Sequence, residues 1–266
     1  MPLSTADPYP TVVMDECPLP AGLRHGRLPV GISGWATMSA GGSVFRSMTT
    51  ENLLGPLNHF ERTKLPNVLY YSGKLALIRR SPRVAIVGSR SASERGLSLA
   101  RRLAEHVANV GGVVVSGLAK GVDRAAHEGA IEAGGATIAV LGTPLDRSYP
   151  RENRDLQEHL MREHLVLSQF EAGSTMHKSN FVQRNRTMAL VSHATVIVEA
   201  GATSGTQSQA WEAIRLGRQL YLHESMVQAG YDWVQKLLRY GAITFEELED
   251  LLLDPLINPH AELVWE

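Results

Sequence analysis

From Arg83 onward, short apolar runs without alternation recur, and each is followed by a segment with apolar residues on one helical stripe. Val84-Ala85-Ile86-Val87-Gly88 opens the series, and Leu97, Ala100, Leu103, Ala104 and Val107 then share one face of a helix predicted over 94–110. Strands are predicted next at Val113-Val114-Val115-Ser116-Gly117, at 137–142, at 165–170, at 195–199 and at 219–223. Helices are predicted between them at 122–133, 153–163, 181–192 and 206–216. A strand that is apolar on both faces must be covered on both, and helical crossovers make neighbouring strands parallel. The expected fold class is therefore α/β, an extended Rossmann-like, doubly wound and mostly parallel sheet.

The flanks read differently. Residues 1–48 are rich in Pro, Gly, Ser and Thr and hold no sustained period, so an N-terminal arm, partly disordered, is expected there. A short helical segment is expected near 51–61 and a strand at Asn67-Val68-Leu69-Tyr70-Tyr71, giving a domain over 49–225. Residues 226–266 read as a helical tail packing on that domain, with stretches at 231–240 and 245–253.

Composition narrows the chemistry. Cys17 is the single cysteine, which excludes an internal disulfide and a multi-cysteine metal site, and the 10 histidines show no ligand spacing. No metal and no cofactor are expected. The N-terminus lacks the pattern of a secretory signal and no run reaches membrane-spanning length, so a cytoplasmic protein without membrane contact is expected. The formal net charge is −1, so any phosphate-binding face must be local.

Ligands of such sheets bind beyond the carboxyl ends of the strands, and four strand-end segments carry suitable residues. The first is Gly88-Ser89-Arg90-Ser91, a tight turn with hydroxyls and a planar guanidinium fork. It is neither a G-x-G-x-x-G fingerprint nor a Walker A loop. The second, Ser116-Gly117-Leu118-Ala119-Lys120-Gly121-Val122-Asp123, holds an acid expected to cap the next helix, or else to orient a loop. His127, four residues on, could pair with it. In the third, His177 and Lys178 precede Phe181-Val182-Gln183-Arg184-Asn185-Arg186, a stacking ring among cations. The fourth, Glu199-Ala200-Gly201-Ala202-Thr203-Ser204-Gly205-Thr206, sets small residues and hydroxyls at a helix start, an anion-binding arrangement. No nucleophilic triad is present.

Together these segments, with Leu141-Gly142, Leu145-Asp146, Tyr149-Pro150-Arg151-Glu152-Asn153 and Val198-Glu199-Ala200, resemble the DNA-processing protein A family (DprA, or Smf) over about residues 60–225. The resemblance implies single-stranded DNA binding without catalysis, a homodimer, and in natural transformation delivery of the strand to a RecA-type recombinase. It implies phosphate contacts from Ser89, Arg90, Lys178, Arg184 and Arg186, a base stacked on Phe181, and Ser204 and Gly205 in the same pocket. Gly88, Gly117, Asn185 and Thr206 complete the expected DNA-binding set. Reversing Arg90 and Arg184 to Glu is expected to abolish binding without unfolding.

This sequence departs from the family pattern at Val182, where proline is common, at Ser168-Gln169, and at Ser204-Gly205-Thr206-Gln207. It is also expected to lack an N-terminal helical module and a C-terminal winged helix. Two other readings stay open. The wider superfamily includes phosphoribohydrolases of nucleoside monophosphates, whose G-G-x-G-T-x-x-E motif supplies a catalytic carboxylate. Here Gln209 occupies that glutamate's place, with Glu212 one turn further on. A nucleotide-sensing domain would use the same pocket for one small nucleotide.

Overall fold

The computed structural model describes residues 38–40 and 43–261. Cys17 and the rest of residues 1–37 lie outside the described residues. A 10-stranded sheet organises the described chain. At one edge β1 (Met38–Ala40), β2 (Ser43–Thr49) and β3 (Val68–Gly73) run antiparallel, with α1 (Thr50–Leu54) and α2 (His59–Lys64) between β2 and β3 in the chain. The alternation then proceeds through β4 (Arg83–Val87), α3 (Glu94–Asn109), β5 (Val113–Ser116), α4 (Val122–Glu132) and β6 (Ala136–Leu141). It continues with α5 (Arg154–Glu163), β7 (Leu165–Ser168), α6 (Ser179–Val191), β8 (Ala194–Ile197), α7 (Thr206–Arg215) and β9 (Gln219–His223). α8 (Glu224–Gln228), α9 (Asp232–Arg239), β10 (Ile243–Phe245) and α10 (Leu248–Leu251) close the chain.

The strand order is β1-β2-β3-β7-β6-β5-β4-β8-β9-β10, and every pair from β7 to β10 is parallel. The chain steps outward from β4 to β7 and then returns to place β8 on the other side of β4. The strand order therefore reverses between β4 and β8, and the crevice beyond their carboxyl ends is where such a sheet holds a ligand. The expected doubly wound, mostly parallel sheet is what forms.

The pleat explains why these runs carry no polar alternation. Val84 and Ile86 pack with Leu99, Leu103 and Val107 of α3 and with Val122 and Ala126 of α4, whereas Ala85 and Val87 join Met188 of α6, Ala210 of α7 and Val234 and Leu237 of α9. Each fully buried Leu or Val contributes about 1.5–3 kcal/mol relative to exposure, which is why no polar residue is spent on either face. α5 covers β6 and β7 through Leu160 and Met161.

Two boundaries differ from those expected. Residues 38–40 and 43–48, placed with the arm, belong to β1 and β2: 43–45 pair with 38–40, 46–48 pair with β3, and buried Phe45 packs with Leu160 and Met161. One aromatic among Ser, Arg and Met is too little pattern to mark a strand. Residues 243–245, in part read as the start of a helix, add β10 to the edge: Thr244 pairs with Leu222, and Phe245 meets the His223 ring edge-on at 5.3 Å. Only a short helix, α10, follows. No helix among the described residues is long and apolar enough to cross a membrane.

Candidate functional site

The strand-end loops are tied to one another before any ligand arrives. A Cβ on Gly88 would lie 2.7 Å from Val122 Cγ2 and 2.8 Å from the Glu199 carbonyl oxygen, so only glycine lets β4, α4 and the loop after β8 come this close. The Ser89 amide donates to the Glu199 carbonyl at 2.7 Å, and the Ser89 carbonyl accepts from the Val122 amide at 3.2 Å. The Glu199 carboxylate accepts from the Ser93 hydroxyl at 2.6 Å and from the Ser93 amide, so it is held at the start of α3. In the fourth loop the Ser204 hydroxyl accepts from the Thr206 amide at 3.2 Å and donates to the Thr206 hydroxyl at 2.7 Å. Asn185 Nδ2 donates to the Gly205 carbonyl at 3.4 Å.

These loops wall a cleft of about 510 Å³ lined by Gly88, Ser89, Arg90, Phe181, Arg184, Asn185, Ser204, Gly205 and Thr206, with Gln209 also on its wall. Gln209 is buried, its Nε2 reaches Thr195 Oγ1 at 3.4 Å and its Oε1 has no partner among the described residues.

Arg184 is the residue whose placement the sequence hides most. It is only 6% exposed, although it comes from an arginine-bearing helix start. Its Nη1 donates to the Val140 carbonyl at 2.8 Å, one residue beyond the last β5–β6 pair, Ser116 with Ala139. The guanidinium thus occupies the space that β5 vacates as it turns off at Gly117. A Cβ on Gly117 would sit 1.6 Å from Arg184 Nη1. Burial lowers the guanidinium's hold on its proton, Asp123 opposes that, and Arg90 adds to it. Nε has no partner among the described residues. Gly117→Ala is therefore expected to push Arg184 from its slot, leave the Val140 carbonyl without that donor, and cost about 1–3 kcal/mol, measurable by urea denaturation.

Asp123 does not cap α4, whose N-cap Gly121 makes no side-chain bond. Its carboxylate accepts from the Gly117 and Ala119 amides at 3.2 and 3.3 Å, so it orients the loop. Leu118, at a left-handed φ of 58°, turns those amides toward it, and Asn153 Nδ2 holds the Leu118 carbonyl at 2.9 Å. Burial raises the Asp123 carboxyl above its ordinary range, with Arg184 pulling the other way. His127 makes no pair with Asp123. Its Nδ1 bonds Thr137 Oγ1 at 2.6 Å, and burial pulls it down to about 3, which leaves it neutral and unable to shuttle protons near pH 7.

Phe181 stands at the mouth. Its ring packs over Gly142, where a Cβ would approach to 2.5 Å, and lies 5.3 Å from the Tyr149 ring. The Arg90 guanidinium sits 6.0 Å from the Phe181 centroid. Tyr149, Pro150 and Lys120 complete this small aromatic pocket. Tyr149 and Lys120 stood in recognisable motifs without an assigned role, and their signal was position: Lys120 lies four residues past the end of β5 and Tyr149 eight past the end of β6. Lys120 is engaged by Glu152 at 2.6 Å.

The remaining expected residues fall elsewhere. Arg186 turns toward α7, where Nε and Nη2 meet the Glu212 carboxylate at 2.8 and 3.2 Å, and it does not line the cleft. Lys178 lies exposed at the start of α6, one turn before Phe181, outside the lining. Glu212 is held by Arg186 and Arg215, so the shifted carboxylate that the phosphoribohydrolase reading needs is committed to an ion-pair cluster. Among the described residues no cluster of His, Cys, Asp or Glu is placed to hold a metal.

Comparison with known proteins bears on this arrangement. The profile of the family described as DNA recombination-mediator protein A matches residues 53–254. DNA processing protein DprA of Streptococcus pneumoniae is 37% identical over 190 residues, 71% of this chain and 67% of that protein. Protein Smf of Synechocystis is 39% identical over 159 residues, 59% of this chain but only 40% of its own length. A solved DNA processing protein A from Helicobacter pylori, whose single-stranded DNA binding mode was the subject of that work, superposes with a TM-score of 0.65 at 27% identity. It covers 82% of this chain and 94% of that one. The chain belongs to the DNA recombination-mediator protein A family, known also as DprA or Smf.

Proposed function

We propose that this chain binds single-stranded DNA in the cleft beyond β4, β5 and β8, in the service of DNA processing and recombination. The observation that carries it is the juxtaposition at the mouth: the Arg90 guanidinium over one side of Phe181, with Tyr149 beside the ring. A base stacks on an aromatic face while its phosphate meets the adjacent cation, the combination that sequence-tolerant single-strand binding uses. Ser89, the Ser204–Thr206 turn at the start of α7 and the inward donors of Arg184 take the phosphate, and Gly88 and Gly117 let backbone and guanidinium approach. Asn185 holds the Gly205 loop in place. Lys178 adds charge at the rim, and Arg186 positions α6 against α7. Family membership supports the finer content: a cytoplasmic homodimer that passes the strand to a RecA-type recombinase in natural transformation, without catalysis.

Oligothymidine binding followed by fluorescence anisotropy tests this reading. Affinity is expected to fall steeply with salt, because binding releases counterions. Arg90→Glu, at an exposed position, is expected to weaken it by about tenfold or more while the melting temperature stays put. Salt-insensitive binding, or stabilisation by a nucleoside monophosphate but by no oligonucleotide, would point to the small-nucleotide reading instead.

A further inference from the structure

A second cavity is larger than the cleft, about 930 Å³, and shares no lining residue with it. It opens between the β2–β3 edge on one side and the loop before α5, with α5 itself, on the other. Arg46, Arg151, Arg154 and Arg162 line it, against Asp146 and Glu158. The two acids are already engaged: Glu158 is paired with Arg154 at 2.9 Å, and Asp146 accepts from the Gly173 amide at 2.9 Å. Among the described residues Arg46, Arg151 and Arg162 have no carboxylate partner, and all three are exposed.

Two features say what such a groove takes. Arg154 and Arg162 stand eight residues apart on α5, about 12 Å along the helix. The charges are therefore strung out rather than converging, which suits a polyanion and not one phosphate. The groove and the aromatic pocket border one loop: Ser148 and Arg151 line the groove, while Tyr149 and Pro150, between them, line the pocket with Phe181 and Arg90. Tyr149, 44% exposed, belongs to that shared loop.

We infer that the groove is a second phosphate-binding tract, which takes the single strand after it crosses the Phe181–Tyr149 step and leads it along α5. This rests on the proposed function, since the cleft supplies the strand. Binding then has two parts, a short anchored segment in the cleft and a longer electrostatic segment along Arg151, Arg154, Arg162 and Arg46.

The test compares oligothymidines of about 6 and about 30 nucleotides on the full chain and on the double variant Arg151→Gln/Arg162→Gln. Both positions are surface-exposed, so folding is retained, as a melting curve verifies. The longer strand is expected to lose about tenfold in affinity, and its salt slope to fall by about 1.4, at roughly 0.7 per phosphate contact. The short strand is expected to bind as before. Unchanged affinity and slope for the longer strand, with the short one still bound, would overturn the groove and leave the cleft reading standing. Equal losses at both lengths would overturn the two-part division. If the unaltered chain binds neither length, the cleft reading and the groove fall together. Binding of polyglutamate that the double variant loses, while long-strand affinity holds, would assign the groove to an acidic protein segment instead.

Discussion

Replacing Arg184 by methionine is expected to cut oligothymidine affinity by roughly tenfold to a hundredfold, since a charge-assisted bond contributes about 1.5–3 kcal/mol and each 1.4 kcal/mol is tenfold. Reversal to glutamate is the wrong variant, because Arg184 is buried and a carboxylate there would face Asp123. Methionine keeps the volume without the charge. Stability should respond with a defined pH dependence. The Asp123 carboxyl already lies above 3.8 through burial, and Arg184 opposes that rise. Removing Arg184 raises it further. An acid whose folded value exceeds its unfolded one contributes stability that is intact below the unfolded value and lost as the pH rises through the folded value. The deficit of Arg184→Met is thus expected to widen as the pH rises through and beyond the folded value that Asp123 has in the unaltered chain, itself above 3.8, on top of about 1–3 kcal/mol for the Val140 carbonyl. Adding Asp123→Asn, whose amide oxygen can still accept from Gly117 and Ala119, should flatten that dependence without restoring binding. Urea denaturation across pH reads both, and a deficit that does not change with pH would sink the Asp123 coupling.

The parts of this molecule that were legible in the sequence are those that local chemistry dictates. Val84–Val87 and Val113–Val115 are buried on both faces, and such runs have no other soluble use. The helix stripes were legible because 3.6-residue spacing sets one face against the sheet. What stayed hidden depends on residues far apart in the chain. Asp123 looked like a cap, and only the turn at Leu118 brings two amides back to it. Arg184 looked like a surface cation because nothing nearby announces the slot behind Gly117. Arg186 and Glu212, 26 residues apart, meet only because α6 packs on α7. β10 was missed because three residues carry no measurable period. The loops of the site were therefore legible as loops, whereas the direction of each side chain within them was not.

Glu212→Ala is expected to be the most destabilising single change among these. The carboxylate is 5% exposed and accepts from Arg186 at 2.8 and 3.2 Å and from Arg215 at 2.9 Å. Burial alone would raise its proton affinity, but the two guanidinium groups win and hold it below 4.5. Removing one side of a buried pair costs about 3–5 kcal/mol. Here the arginines left behind are 34% and 54% exposed and can turn to water, which favours the low end, about 3 kcal/mol. For a chain of this size that is a fall in melting temperature of about 6–12 °C. The sign of the pH dependence is opposite to that of Arg184→Met. A carboxylate with a depressed folded value contributes stability above its ordinary value and loses it as the pH falls through the folded value. The gap between Glu212→Ala and the unaltered chain should therefore narrow on acidification. Oligothymidine affinity, measured well below the variant's melting temperature, should hold, because Glu212 does not line the cleft. The phosphoribohydrolase reading makes the contrary demand. Under it, Glu212→Ala would abolish release of free base from a nucleoside monophosphate.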